Sequence, residues 1–156
     1  MKKFMTGLGA IALLASPALA GSNTFHVTGQ GTLNDGRVFS VNARIDKNGT
    51  ATGHAVLINQ AFSGDSGNGP FRAQIDISCI NVLDDGEVYL GGVARSNDST
   101  LDGEAVYFAV SDDGRLSRAF FFDDNPATTG DPGLCQFNTA GNFPLENVIR
   151  GNIHVQ

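Results

Sequence analysis

The chain has 156 residues, 16 acidic against 10 basic, and a net charge of −6, which fits one domain of ordinary size with chain enough for a single hydrophobic core. That balance, with no Lys/Arg cluster along the sequence, weighs against nucleic acid, other polyanions and anionic lipid as partners. Tryptophan is absent and phenylalanine numbers 11, so the expected core is Phe, Val, Ile and Leu.

Residues 1–20 read as a cleaved secretory signal of the bacterial kind, with Lys2 and Lys3, the apolar run Leu8 to Leu14, then Ala18-Leu19-Ala20 before Gly21. The apolar run is too short to span a bilayer, and no later segment reads as a stop-transfer signal. The expectation is an exported product, secreted or periplasmic and not inserted in a membrane, with residues 21–156 as one domain. Losing Lys2 and Lys3 makes that product still more acidic. In an oxidising compartment the two cysteines, Cys79 and Cys135, are expected to pair as a disulfide, since an even count allows a single pairing. They have neither C-x-x-C spacing nor a neighbouring histidine, so they make a poor metal site.

Strand patterning dominates from residue 25 onward. Phe25, Val27 and Leu33 share one parity against His26, Thr28, Gln30 and Thr32. After the turn Asn34-Asp35-Gly36 the alternation resumes with Phe39, Val41, Ala43 and Ile45, which makes a half-buried hairpin. Asp46-Lys47-Asn48-Gly49 turns the chain into a strand over Ala51 to Asn59, whose run Ala55-Val56-Leu57-Ile58 suggests burial on both faces. A loop over 63–69 precedes a long strand with Phe71, Ala73, Ile75, Ile77 and Cys79 on one face; at Cys79-Ile80 the parity flips, the mark of a β-bulge. Asp84-Asp85-Gly86 leads into Glu87 to Arg95, a loop into Glu104 to Ser111, and Asp112-Asp113-Gly114 into a strand around Leu116 to Phe122. Periodicity is lost from Asp123 to Pro144. The last strand, Asn147 to Val155, alternates Ile149, Gly151, Ile153 and Val155 against Val148, Arg150, Asn152 and His154.

These elements define an all-β fold, an antiparallel up-and-down meander of about eight strands with short turns, for which a closed barrel is favoured over a sandwich because closure removes exposed edges. Closure pairs the first strand with the last and brings the neighbourhoods of His26 and His154 together.

Four constellations bear on chemistry. Gly64-Asp65-Ser66-Gly67-Asn68-Gly69-Pro70 resembles the nucleophile loop of chymotrypsin-like serine proteases, but Asn68 is inserted where the oxyanion-hole amides belong and no histidine has that family's setting. The plainer reading is a polar loop. His26, His54 and His154 could ligate zinc or do acid–base work, yet His26 and His154 share the polar parity, which faces solvent in a small barrel with a packed interior. With the faces reversed, that parity would line a polar lumen with the ligand-binding set His26, Arg44, Arg72, Asp76, Arg150 and His154. Asp123, Asp124 and Asp131 offer oxygen ligands for calcium without the EF-hand spacing; no other cofactor is expected. The segment Asp123 to Pro144 reads either as a functional loop or as a flap, held to Cys79 through Cys135, over one end of the barrel with Phe137 and Phe143 plugging it.

The layout of Gly29-Gln30-Gly31, Asp46 to Gly53, Cys79 before an apolar strand and turn, Asp131-Pro132-Gly133-Leu134-Cys135 and Gly151-Asn152-Ile153-His154-Val155 resembles a diffuse group of small secreted bacterial proteins of unknown function, across nearly the whole of 21–156. The resemblance implies an all-β fold and export, and carries over no catalytic residue and no ligand. The hairpin Asp46-x-Asn48-Gly49-x-x-x-Gly53 also resembles streptavidin-like barrels, although without tryptophan the aromatic walls of a biotin site are missing.

The expected function is non-catalytic binding of a small molecule or a surface partner. The alternatives are a small exported hydrolase or isomerase using a histidine with Asp76 or Arg72 in the lumen, and an envelope or matrix component.

Overall fold

Among the described residues alternating side chains build nine strands: β1 (Phe25–Leu33), β2 (Val38–Ile45), β3 (Ala51–Asn59), β4 (Phe71–Val82), β5 (Glu87–Ser96), β6 (Ala105–Ser111), β7 (Arg115–Ser117), β8 (Phe121–Phe122) and β9 (Leu145–Val155). The computed structural model describes residues 24–63, 67, 69–117, 121–122, 131–139 and 141–156. The expected leader, Ser66, Asp123 and Asp124 lie outside them.

Each strand from β1 to β6 pairs antiparallel with the next. β7 and β8 both pair with β6, through Val110↔Leu116 and then Tyr107↔Phe121, and so share one place in the sheet. β7 pairs with β9 and β9 with β1, which closes an up-and-down barrel of eight strand positions. The strand expected over Leu116 to Phe122 is thus two short pieces.

The apolar parity points inward. Val27, Leu33, Val41, Ala55, Ile75, Leu90, Phe108 and Leu116 are all buried in one core cluster, against which Phe25 and Phe71 pack from the rim. The polar parity of β1 to β4 faces out, because turning it inward would leave this apolar surface in water. A polar lumen is therefore ruled out by the packing. At one end, the buried Arg37 guanidinium lies 2.6 Å from Asp35 and also pairs with Glu146 at the start of β9.

Two irregularities set which residues face where. In β4 the register shifts between Ile77 and Cys79, the expected bulge. In the β1–β9 pair it shifts as well, with Thr32 opposite Arg150 and Leu33 opposite Val148. The extra residue reverses the parity expected at the start of the last strand: Val148 packs on the core while Ile149 is 52% exposed. Gly151 takes φ +103°, and a Cβ there would stand 1.9 Å from the Gln30 carbonyl oxygen, so the close approach of β9 to β1 requires glycine. β3 also departs from expectation. Ala55 and Leu57 are buried, but Val56 and Ile58 are only half-buried, because no described residue covers that side of the sheet.

The segment after residue 130 does not plug an end. A 3₁₀ helix, Pro132–Phe137, crosses the outer face of β4, β5 and β6 as a strap. The Asp131 side chain caps it by accepting from Gly133 N–H at 2.9 Å, and the Cys79–Cys135 disulfide fastens it to β4. Beneath it, Ala105, Tyr107 and both cysteines form a second small core. Phe143 packs on Tyr89 with ring centroids 5.3 Å apart, whereas Phe137 is 77% exposed and plugs nothing.

Hydrogen bonds complete the attachment. The Tyr107 hydroxyl donates to Asp131 O at 2.6 Å, Asn81 Nδ2 to Cys135 O at 3.2 Å, and Gln136 Nε2 to Ile80 O at 2.9 Å. The buried Tyr89 hydroxyl lies 2.9 Å from Glu87 Oε2 and 2.8 Å from Thr139 O, and accepts from Asn142 N–H at 3.2 Å. Burial, then the Glu87 carboxylate beside it, push its pKa up to about 12.

Candidate functional site

With the interior filled and the second half of β4, β5 and β6 strapped, the outer face of β9, β1, β2, β3 and the first half of β4 is the candidate surface, and no described residue covers it. Register arranges it in cross-strand rows. One runs Arg150–Thr32–Val38–Ile58–Arg72, each residue directly opposite the next. The adjoining row runs Asn152–Gln30–Ser40–Val56–Gln74–Arg95. A third holds His154, Thr28, Asn42, His54 and Asp76.

Two shallow grooves follow the first two rows. One, of about 390 Å³, lies between Arg150 and Ile58; the other, of about 520 Å³, runs from Ile58 to Arg72 and Arg95. Ile58 lines both, so the two grooves meet there, and Val38, Val56 and Ile58 give the first its apolar floor. Gln60, Gln74 and Asn97 stand along the second groove, whose end is braced: Asn97 Oδ1 accepts from Arg72 N–H at 2.8 Å, and Asn97 Nδ2 donates to Pro70 O at 3.0 Å.

All six residues of the expected ligand-binding set are carried by this sheet, but not as one cluster. His26 is opposite Arg44, and its backbone pairs with Gln156. His154 is opposite Thr28, so the two histidines are diagonal neighbours across the β1–β9 seam rather than a facing pair. Asn152 Nδ2 is 2.7 Å from His154 Nε2. Asp76 holds His54, not His26 or His154: its Oδ1 is 3.0 Å from His54 Nδ1, and its Oδ2 accepts from Arg95 Nη2 at 2.7 Å. Arg72 and Arg150 mark the two ends of the groove system.

Arg95 and the apolar floor were not legible as site residues. Finding Arg95 requires the β4–β5 register, which the bulge after Ile77 offsets by one residue. Val56 and Ile58 look like core until it is known that no described residue covers that side of the sheet.

The His54–Asp76 dyad orients an imidazole, yet no Ser, Thr or Cys side chain bonds to His54 among the described residues, and the dyad stands in open solvent rather than in a water-excluding cleft. Among the described residues no group of three or more His, Cys, Asp or Glu side chains is placed to hold a metal. Asp131, the one described member of the expected calcium set, spends its Oδ1 on the strap helix. No family model, curated protein or solved structure matches the chain.

Proposed function

We propose that the protein is an exported, non-catalytic recognition barrel that binds a partner on the outer face of β9 and β1 to β4. One observation carries this reading: among the described residues the barrel interior and the sheet beneath the strap are already filled, and the grooved outer face is not. Apolar side chains fill the interior, and Cys135, Tyr107 and Leu134 fill the space beneath the strap, while the uncovered face is grooved, hydrogen-bonding and apolar at its floor. The Cys79–Cys135 disulfide is compatible with the oxidising compartment that the leader implies.

The test is binding of the immobilised protein to a panel of polysaccharides, peptides and lipid vesicles, with Ser40→Trp alongside. Ser40 is exposed at the middle of the face, so the indole blocks the groove without touching the core. Binding that Ser40→Trp abolishes supports the reading. Ligands held equally by both proteins would move the site elsewhere.

A hydrolase or isomerase reading draws support from the His54–Asp76–Arg95 arrangement. It requires turnover of a substrate panel that His54→Gln removes, and its absence leaves recognition as the working function.

A further inference from the structure

We infer that the groove from Arg150 to Arg72 takes a linear acidic polysaccharide, laid across the strands with its carboxylates on the two terminal arginines. This inference rests on the recognition reading above and names the partner class for that face.

Charge segregation opens the possibility. Among the described residues only Asp76, Glu87 and Glu146 of the acids lie within strands; the rest occupy turns and loops. Glu87 is engaged beneath the strap and Glu146 with Arg37. The net acidity that argues against polyanions is therefore carried away from the outer sheet, where Arg72, Arg95 and Arg150 border the groove. One described acid, Asp102, lines it, a second, Asp76, stands in the neighbouring row, and both are occupied. Asp76 is held by His54 and Arg95, and Asp102 Oδ1 accepts from Ser96 N–H at 2.9 Å. Among the described residues the Arg72 and Arg150 guanidiniums have no ion-pair partner. An unpaired guanidinium presents a planar fork that matches a carboxylate.

Spacing and chemistry select the ligand. Arg150 and Arg72 are four strand steps apart in one row, roughly 19 Å along the curved sheet at the usual interstrand distance, so one small anion cannot bridge them and a polymer that follows the curve can. Between them the side-chain amides of Gln30 and Gln74 suit hydroxyl groups, and the floor of Val38, Val56 and Ile58 suits the C–H faces of sugar rings. An acidic peptide fits less well. β1, β2, β3 and β4 pair on both sides, so no strand can be added there, and the two grooves are too shallow to seat an anchoring side chain. A nucleic acid would want exposed aromatic rings for stacking, and none stands in either row.

Titration of the secreted protein with sodium polygalacturonate tests the inference, using fully methyl-esterified polygalacturonate and poly-L-glutamate as comparison polymers. Arg72→Gln and Arg150→Gln are each expected to weaken binding about tenfold, as loss of one charge-assisted contact implies. Lys47→Gln, at an exposed turn away from the groove, should leave it unchanged, and added salt should weaken it. The methyl ester should not bind. Unchanged binding when Arg72→Gln and Arg150→Gln are combined, equal affinity for poly-L-glutamate, or no binding of polygalacturonate would each overturn the inference. If polygalacturonate fails while another probe binds in a manner that Ser40→Trp removes, the recognition reading stands and the acidic saccharide falls. If nothing engages that face, both fall.

Discussion

The backbone of Gly91 in β5 lies so close beneath Pro132 that a Cβ at position 91 would stand 2.5 Å from the Pro132 carbonyl oxygen and 3.0 Å from Cys135 Cβ. The strap can cross β5 only because that residue has no side chain. Gly91→Ala is expected to lower stability by about 1–3 kcal/mol, the usual cost of forcing a methyl group into a packed site, measured as a drop in the urea midpoint with the slope unchanged. In a Cys79→Ala background the strap can lift away, so the same substitution should cost less.

The disulfide beneath that strap joins residues 56 apart in sequence. In the chain-entropy account a closed loop of this length restricts the unfolded ensemble by about 4 kcal/mol. Replacing both cysteines by alanine should therefore lower the unfolding free energy by about 2–4 kcal/mol while leaving a folded barrel, because the main core draws on β1 to β7 and β9 and includes neither cysteine. Far-UV circular dichroism and denaturant titration read both halves of this expectation. Collapse of the barrel in the double variant would show that the strap belongs to the main folding unit.

Much of the barrel was legible because period-2 alternation and Asp-Gly turns are local signals. Phe25, Val27 and Leu33 fix the inner face of β1 without knowledge of its partners, and the parity flip at Cys79-Ile80 announces the bulge that the register contains. What escaped is what only three dimensions decide. Ile149 reads as core until the extra residue opposite the Thr32/Leu33 step of β1 turns it outward. Phe143 reads as a plug until the strap carries it onto Tyr89. Among the site residues, Arg72 and Arg150 were visible as members of the polar parity, but that they end one cross-strand row follows from four successive pairings and from no single segment.

Tyr89 makes the protein sensitive to alkali. Its pKa in the folded state is raised to about 12 by burial and by Glu87, whereas an unfolded tyrosine titrates near 10. Below pH ~10 the phenol is protonated in both states, so its contribution is fully present. As pH rises through the window from about 10 to about 12, the unfolded chain releases the proton first and stability falls. Tyr89→Phe removes this dependence along with the hydrogen bonds to Glu87, Thr139 and Asn142. Urea midpoints of wild type and Tyr89→Phe at pH 8 and pH 11 should thus lie farther apart at the lower pH. A gap of the same size at both would mean that the Tyr89 proton is not linked to folding.

The pair at the other end of the barrel tests the packing of β9 against the first hairpin. The Arg37 side chain is 9% exposed and that of Glu146 14% exposed, and Arg37 also holds Asp35, whose N-terminal neighbour Asn34 follows β1 directly. Partial burial alone would raise the Asp35 pKa, but the hydrogen bonds from Arg37 outweigh it and leave the carboxyl lowered, so this local contribution is present above about pH 4 and is lost as pH falls through the folded value. Removing one partner of the buried pair strands the other: Arg37→Ala is expected to cost about 3–5 kcal/mol through the uncompensated Glu146 carboxylate. Arg37→Met with Glu146→Leu replaces both charges by apolar groups of similar size and should recover most of that loss, because the desolvation cost goes with the charges. Denaturant midpoints of Arg37→Met, Glu146→Leu and the double variant form the cycle that decides it, with Arg37→Ala as the stranded-charge reference. If the double variant is as unstable as Arg37→Ala, the stabilisation at this end comes from the Arg37–Asp35 contact at the hairpin turn, and β9 is held by its strand pairing alone.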